Sequence, residues 1–170
     1  TVFNILGPLT NPADAGRQLI GVCEPYLTEL MASVLARLGT ARAIVAHGLD
    51  GIDELSTLSK TKVTELQHGK IVTYEISPEE VGLQSAKPED LRQGNSPKEN
   101  AKILEEILRG KKGPKRDIVL LNAGAALTIG GKASSIQEGM ALAAESIDNG
   151  SAEATLRKLI ELSNKLGKTA

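Results

Sequence analysis

A chain of 170 residues with 41% hydrophobic and 24% charged residues can build one domain with a sizeable core, and it is too apolar for a disordered tract. Its 20 basic and 21 acidic residues are interspersed for a net charge of −1, and Phe3, Tyr26 and Tyr74 are its only aromatics. That excludes both a broad basic face for a phosphate backbone and a base-stacking platform, so no nucleic-acid partner is expected.

No apolar run approaches the roughly 18 residues of a membrane span, and no basic-then-apolar leader opens the chain, which predicts a cytoplasmic protein without a membrane partner. The sequence starts at Thr1 without a Met, as if cut from something longer. Cys23 is the single cysteine, so an internal disulfide and a thiolate metal cluster are ruled out. Set in an apolar run, it is expected to be a buried, inert thiol.

In chain order, Leu19 to Cys23 reads as a short buried strand. Pro25 opens a helix in which Tyr26, Leu27, Leu30, Met31, Val34, Leu35 and Leu38 recur at helical spacing, and Gly39 closes it. A second strand, Ala43 to Ala46, follows. Strand, helix and strand within about 30 residues imply a right-handed parallel crossover. Val63 to Leu66 and Ile71 to Ile76 form a hairpin joined at Gln67-His68-Gly69-Lys70, with His68 solvated on the turn.

Ser77 to Asn95 reads as irregular, with one or two short helical turns. Ser96-Pro97-Lys98-Glu99 is a capping box opening a helix that ends near Gly110, and Ser135-Ile136-Gln137-Glu138 repeats the device. The second of these helices carries the stripe Ile136, Met140, Ala143 and Ile147 and stops at Gly150. Ser151 caps a last helix, with Leu156, Leu159, Ile160 and Leu166 inward and Gly167 at its end. Asp117 to Gly124 fits a strand by its β-branched run, but Ile118, Leu121, Ala125 and Ile129 fit one helical face after Pro114, and the helix is favoured. The fold class is α/β: a partial parallel sheet with a βαβ crossover and a β-hairpin, flanked by C-terminal helices.

The stretch Gly48-Leu49-Asp50-Gly51-Ile52-Asp53-Glu54 carries the most chemistry. Three carboxylates lie on a loop leaving the carboxyl end of a parallel strand, where open α/β sheets bind ligands. Neighbouring carboxylates are hard oxygen donors suited to Mg²⁺, which completes its shell with substrate phosphate and water. The competing reading is a solvated acidic turn. His47, at the end of the strand, is read as a structural hydrogen-bonding residue, with ligand contact as the alternative.

Other motifs fail. Gly124 through Lys132 brushes a P-loop, but its spacing is wrong and Ala133 replaces the Mg²⁺-binding hydroxyl. Asn122-Ala123 stands where the common phosphoribosyltransferases end a strand in an acidic pair. The acidic loop lacks the ligand spacing of an EF-hand, and His47 and His68 do not complete a Ser/His/Asp set.

Phe3-Asn4-Ile5-Leu6-Gly7-Pro8-Leu9-Thr10-Asn11-Pro12-Ala13 resembles the signature near the middle of the anthranilate phosphoribosyltransferases. Arg17-Gln18, His47-Gly48 through Asp53-Glu54-Leu55-Ser56, and the Asn100-Ala101 helix keep that family's order and approximate spacing. The resemblance spans the chain, corresponds to the C-terminal half or so of a family member, and sides with the helical reading after Pro114. It implies that residues 1–170 are the C-terminal part of one glycosyltransferase/nucleoside phosphorylase-like α/β domain. The family transfers phosphoribose from phosphoribosyl pyrophosphate to anthranilate in tryptophan biosynthesis. By position, Asp53 and Glu54 match the family's Mg²⁺-binding acidic pair, and Gly7 and Pro8 match a turn lining its anthranilate channel.

The family's helical N-terminal domain, glycine-rich diphosphate loop, Lys-His-Gly-Asn segment and anthranilate-binding arginine all precede the start of this chain. The resemblance therefore implies a chain inactive by itself, and a family homodimer formed largely through the missing helical domain. Missing strands would leave an exposed sheet edge that invites pairing. The alternatives are a pyrimidine nucleoside phosphorylase-like relative and a noncatalytic interaction module using that edge.

Overall fold

The computed structural model describes residues 2–10, 12 and 15–167. Asn11 and Ala13 of the opening motif lie outside them. Four strands form one sheet in the order β1 (Arg17–Gly21), β2 (Arg42–Gly48), β3 (Thr61–Gln67) and β4 (Lys70–Ile76). β1 and β2 pair in parallel, whereas β2–β3 and β3–β4 are antiparallel. The expected crossover is made by α2 (Leu27–Arg37), and the expected hairpin closes on the two-residue turn His68-Gly69. Both turn residues have positive φ, 49° and 78°, and such primed turns match the twist of the strands they join.

The central strands β2 and β3 are covered on both faces, while β4 is largely exposed. Ala43 and Val45 of β2 pack with Ile20, Leu27, Met31, Ala32 and Leu35 on the α2 side. Ile44 and Ala46 pack with Leu55, Val63 and Leu121, Ala125 and Ile129 of α4 (Pro114–Ile129) on the other. This is why β2 reads as an unbroken apolar run rather than an alternating one. Between the sheet and the later helices lie two 3-10 turns, Glu79–Val81 and Pro88–Leu91, within the stretch expected to be irregular.

α3 (Pro97–Leu108) and α5 (Ile136–Asp148) begin as the capping boxes predict. Ser96 Oγ accepts from Glu99 N–H and Ser135 Oγ from Glu138 N–H, each at 3.2 Å. Each glutamate reaches back one residue further, to the N–H of Asn95 or Ser134. The favoured helical reading of 117–124 holds, with Gly113 preceding Pro114 at the start of α4. α4 and α5 pack closely because a Cβ on Gly139 would stand 2.3 Å from the Gly124 carbonyl oxygen. A bidentate ion pair ties the two helices at their other ends: Arg116, 2% exposed, donates to both carboxylate oxygens of Asp148 at 2.7 and 2.9 Å.

Five expectations need correction. Cys23 is exposed, because β1 ends two residues earlier and the chain turns outward after Val22. α2 begins at Leu27 rather than Pro25, leaving Tyr26 outside it, and it buries Leu27, Thr28, Met31, Ala32 and Leu35, while Leu30 and Leu38 face outward. The last helix, α6 (Ser151–Gly167), buries no residue: Leu159, Ile160 and Leu166 are exposed and Leu156 is half-buried. Its apolar stripe is present, but of that stripe only Leu156 is partly covered, α3 and α5 being the described helices that touch α6. Ser151 lies inside α6, and its N–H is met by the side chain of Asn149 rather than Ser151 serving as the cap. Finally, Gly7-Pro8 is no turn but part of a further helix, α1 (Val2–Leu9), packed through Ile5 and Leu9 against the α2 side of the core.

Candidate functional site

The parallel register from Arg17↔Arg42 to Gly21↔Ala46 brings the carboxyl ends of β1 and β2 out side by side. Val22 N–H donates to the Ala46 carbonyl at 3.0 Å, and His47 returns the link by donating from Nδ1 to the Val22 carbonyl at 2.8 Å. Since a carbonyl only accepts, this contact puts a proton on Nδ1. His47 is buried, and its structural hydrogen bond is the role expected of it.

The acidic loop then folds on itself. Gly48 N–H donates to the Ile52 carbonyl, Gly51 N–H to the Gly48 carbonyl and Leu49 N–H to the Lys60 carbonyl, each at 2.8 Å. Gly51 has φ +98°, a conformation that favours glycine. Asp50 is held in this turn, its Oδ1 accepting from the Ser59 hydroxyl at 3.0 Å. It is thereby separated in role from its two acidic neighbours.

Asp53 and Glu54 are exposed, and neither carboxylate has a hydrogen-bond or ion-pair partner among the described residues. Their backbone is nevertheless confined from both sides. On one side a Cβ on Gly21 would stand 1.4 Å from the Asp53 carbonyl oxygen, so the loop lies directly on a strand that has no side chain there. On the other, Leu55 is 1% exposed in the core and its peptide groups are gripped by Asn122 of α4. Asn122 Oδ1 accepts from Leu55 N–H at 3.0 Å, and Nδ2 donates to the Leu55 carbonyl at 2.9 Å and to the Ile118 carbonyl at 3.0 Å. Beyond Leu55, Ser56 N–H donates to Thr61 Oγ1 at 2.8 Å, fastening the loop to β3.

Two vicinal carboxylates with free oxygens fit Mg²⁺, which needs one or two carboxylates and takes water and phosphate for the rest. They do not fit a protein-only cage, since no cluster of three or more His, Cys, Asp or Glu side chains suited to a metal occurs among the described residues. Gly7 and Pro8 are not brought to this pair. Pro8 lines a small cleft with Gln18 and Thr40, where β1 begins, and a Cβ on Gly7 would meet nothing within 4 Å. The larger cleft of about 550 Å³, beside Arg42, Glu65, Tyr74 and Gln137, is also separate from the acidic loop. There Arg42 and Glu65 stand 3.6 Å apart, and burial, reinforced by Glu65, pushes the Tyr74 phenol up to about 12, leaving it un-ionised near neutrality.

The sequence alone does not mark Gly21 and Asn122 as site residues. A glycine inside an apolar strand is a known sign of close backbone approach, and an asparagine in an otherwise apolar helical run signals a buried polar group with a partner to find. Both signals are in the sequence, and neither names the partner.

Comparison with known proteins agrees with the resemblance. A family model described as glycosyl transferase family, a/b domain, matches residues 1–153. The anthranilate phosphoribosyltransferase of Acetivibrio thermocellus is 54% identical over 164 residues, 96% of this chain and 47% of that protein. The crystal structure of anthranilate phosphoribosyltransferase from Thermus thermophilus superposes with a TM-score of 0.82 at 45% identity, covering 93% of this chain and 46% of that one. The Saccharomyces cerevisiae enzyme, solved in complex with PRPP and Mg, gives a TM-score of 0.81 at 30% identity over 95% of this chain and 46% of that one. The same yeast enzyme has been solved in complex with 4-fluoroanthranilate. The chain thus spans about half the length of the relatives it matches. On its α/β architecture and the match over residues 1–153, the chain belongs to the glycosyl transferase family, and it is similar to the anthranilate phosphoribosyltransferases over nearly its whole length.

Proposed function

We propose that this chain is the C-terminal part of an anthranilate phosphoribosyltransferase and that Asp53 and Glu54 hold Mg²⁺ on the diphosphate of phosphoribosyl pyrophosphate. The observation that carries the reading is the pair itself: two exposed carboxylates without protein partners, on a backbone confined by Gly21 and Asn122, at the carboxyl ends of two parallel strands. A yeast relative solved with PRPP and Mg supports the choice of ion and substrate. Bound Mg²⁺ would supply Lewis-acid neutralisation of the charge that develops on departing pyrophosphate.

In this reading the two side chains carry no protons in the reaction. They supply negative charge and oxygen donors, and the loop hydrogen bonds hold the backbone that carries them before substrate arrives. Gly7 and Pro8 are assigned to the anthranilate channel on the resemblance of their motif alone. The glycine-rich loop and the anthranilate-binding arginine belong to the half of the relatives that this chain does not span. The isolated 170 residues are therefore expected to form no measurable phosphoribosylanthranilate.

The test uses a protein of the relatives' full length carrying this sequence. Asp53→Ala with Glu54→Ala should raise the Mg²⁺ concentration for half-maximal turnover by more than about tenfold, the lower range for disturbing a metal site. Unchanged turnover with unchanged Mg²⁺ dependence would remove the assignment. Substantial activity from the isolated chain would overturn the division of the site.

A further inference from the structure

We infer that Asn122 is a positioning residue for the acidic pair, acting on Glu54 and Asp53 through the backbone of Leu55; this rests on the Mg²⁺ reading above. Asn122 lies on α4, 67 residues further along the chain, and it touches neither carboxylate by hydrogen bond. Its carboxamide pairs with one residue in both senses, accepting the N–H and donating to the C=O of Leu55. The second amide hydrogen is spent on the Ile118 carbonyl one turn back, which fixes the side chain against its own helix.

A carboxamide is suited to this task because it presents a donor and an acceptor side by side. A carboxylate in its place would face two carbonyl oxygens with no hydrogen to offer. A serine or alanine would leave both Leu55 groups without this partner. Leu55 follows Glu54 directly, and its side chain is sunk among core residues that include Leu121 and Ala125 of the same helix. Helix α4 therefore sets both the depth and the orientation of the peptide after Glu54, while Gly21 sets the floor beneath Asp53. Ligands of Mg²⁺ must reach near-ideal octahedral positions, so a peptide free to rotate there weakens the site without removing a ligand.

The experiment compares Asn122→Ala and Asn122→Ser with Ile147→Ala in a full-length protein carrying this sequence. Ile147 is buried on α5 and serves as a destabilising control remote in sequence from the acidic loop. Thermal denaturation and the Mg²⁺ dependence of turnover are measured for each. The Asn122 variants should raise the Mg²⁺ needed for half-maximal turnover by about tenfold or more, as disturbed outer-shell partners do, while turnover at saturating Mg²⁺ stays within about threefold. Ile147→Ala should lower the melting temperature and leave the Mg²⁺ half-saturation unmoved.

If Asn122→Ala does not fold, Asn122→Ser carries the measurement. Equal Mg²⁺ half-saturation in the Asn122 variants and the parent would overturn the inference, as would a shift in Ile147→Ala as large as theirs. The Asp53→Ala, Glu54→Ala protein is run alongside. If it too keeps the parent's Mg²⁺ dependence, the metal reading fails. If its Mg²⁺ half-saturation rises while that of the Asn122 variants stays at the parent's, only the positioning role fails.

Discussion

Replacing Gly21 by Ala adds one methyl group to the end of β1, and the structure says where it would go. The new carbon would stand 1.4 Å from the Asp53 carbonyl oxygen and 2.5 Å from its carbonyl carbon, against an ordinary contact distance of 3.4 Å or more. Relief therefore requires the Asp53 peptide and β1 to separate by about 2 Å, the difference between those distances. Neither side yields easily. β1 is in register with β2 through Gly21↔Ala46, and the loop is anchored before Asp53 by the Gly48–Ile52 hydrogen bond and after it by Asn122 on Leu55. Overpacking of this kind costs about 1–3 kcal/mol. The shift is also an order of magnitude larger than the roughly 0.2 Å tolerance of metal–ligand distances. Gly21→Ala should lower stability by that amount in urea denaturation and raise Mg²⁺ half-saturation in the full-length context by more than about tenfold. Gly48→Ala is the comparison: its Cβ would meet Ile52 Cγ2 at 2.5 Å, Asp50 Oδ1 at 2.6 Å and Ser56 Cβ at 3.0 Å, side-chain atoms rather than a backbone carbonyl oxygen at 1.4 Å, so its effect should be smaller. A Gly21→Ala protein with parental stability and parental Mg²⁺ dependence would refute the argument from close approach.

The remaining predictions concern the helical layer. Hydrogen bonds from Arg116, and secondarily from Lys112, hold the Asp148 carboxyl down at about 2. Its folded value lies below the unfolded value of about 3.9, so the pair's contribution is complete above that pH and is lost as pH falls through about 2. Urea midpoints of the parent and Asp148→Asn should differ at neutral pH and converge toward about pH 2; a gap that stays constant over that window would contradict the linkage. At the α4–α5 crossing, Gly139→Ala would drive a carbon to 2.3 Å from the Gly124 carbonyl oxygen, a backbone atom that no rotamer change can clear. It should cost about 1–3 kcal/mol in thermal or urea denaturation, and a neutral result would mean that the helices part without penalty.

What the sequence made legible was what is local. The unbroken apolar run of β2, the Ser–Glu caps of α3 and α5 and the His68-Gly69 turn each act over a few residues, and each forms as its residues dictate. α6 shows the limit of local pattern. Its leucines recur at helical spacing, yet Leu159, Ile160 and Leu166 remain exposed, because periodicity says which residues share a face and nothing about whether another element covers it. Cys23 shows the same limit at a strand end, where two residues decide between core and surface.

The acidic site divides along that line. The acidic loop can be read from the sequence because its carboxylates and their place after a strand are local facts, and the family resemblance singles out Asp53 and Glu54 within it. Their geometry is not local: Gly21 lies 32 residues before Asp53, and Asn122 lies 67 residues after Leu55. One contributes by having no side chain, the other by offering a donor and an acceptor to a single residue. Neither is an oxygen ligand with a motif to match. A search for metal-binding residue types therefore finds the carboxylates and passes over both residues that confine the backbone beneath them. If Asp53 and Glu54 hold Mg²⁺ as proposed, that support from below and behind is what would distinguish their loop from an ordinary acidic turn.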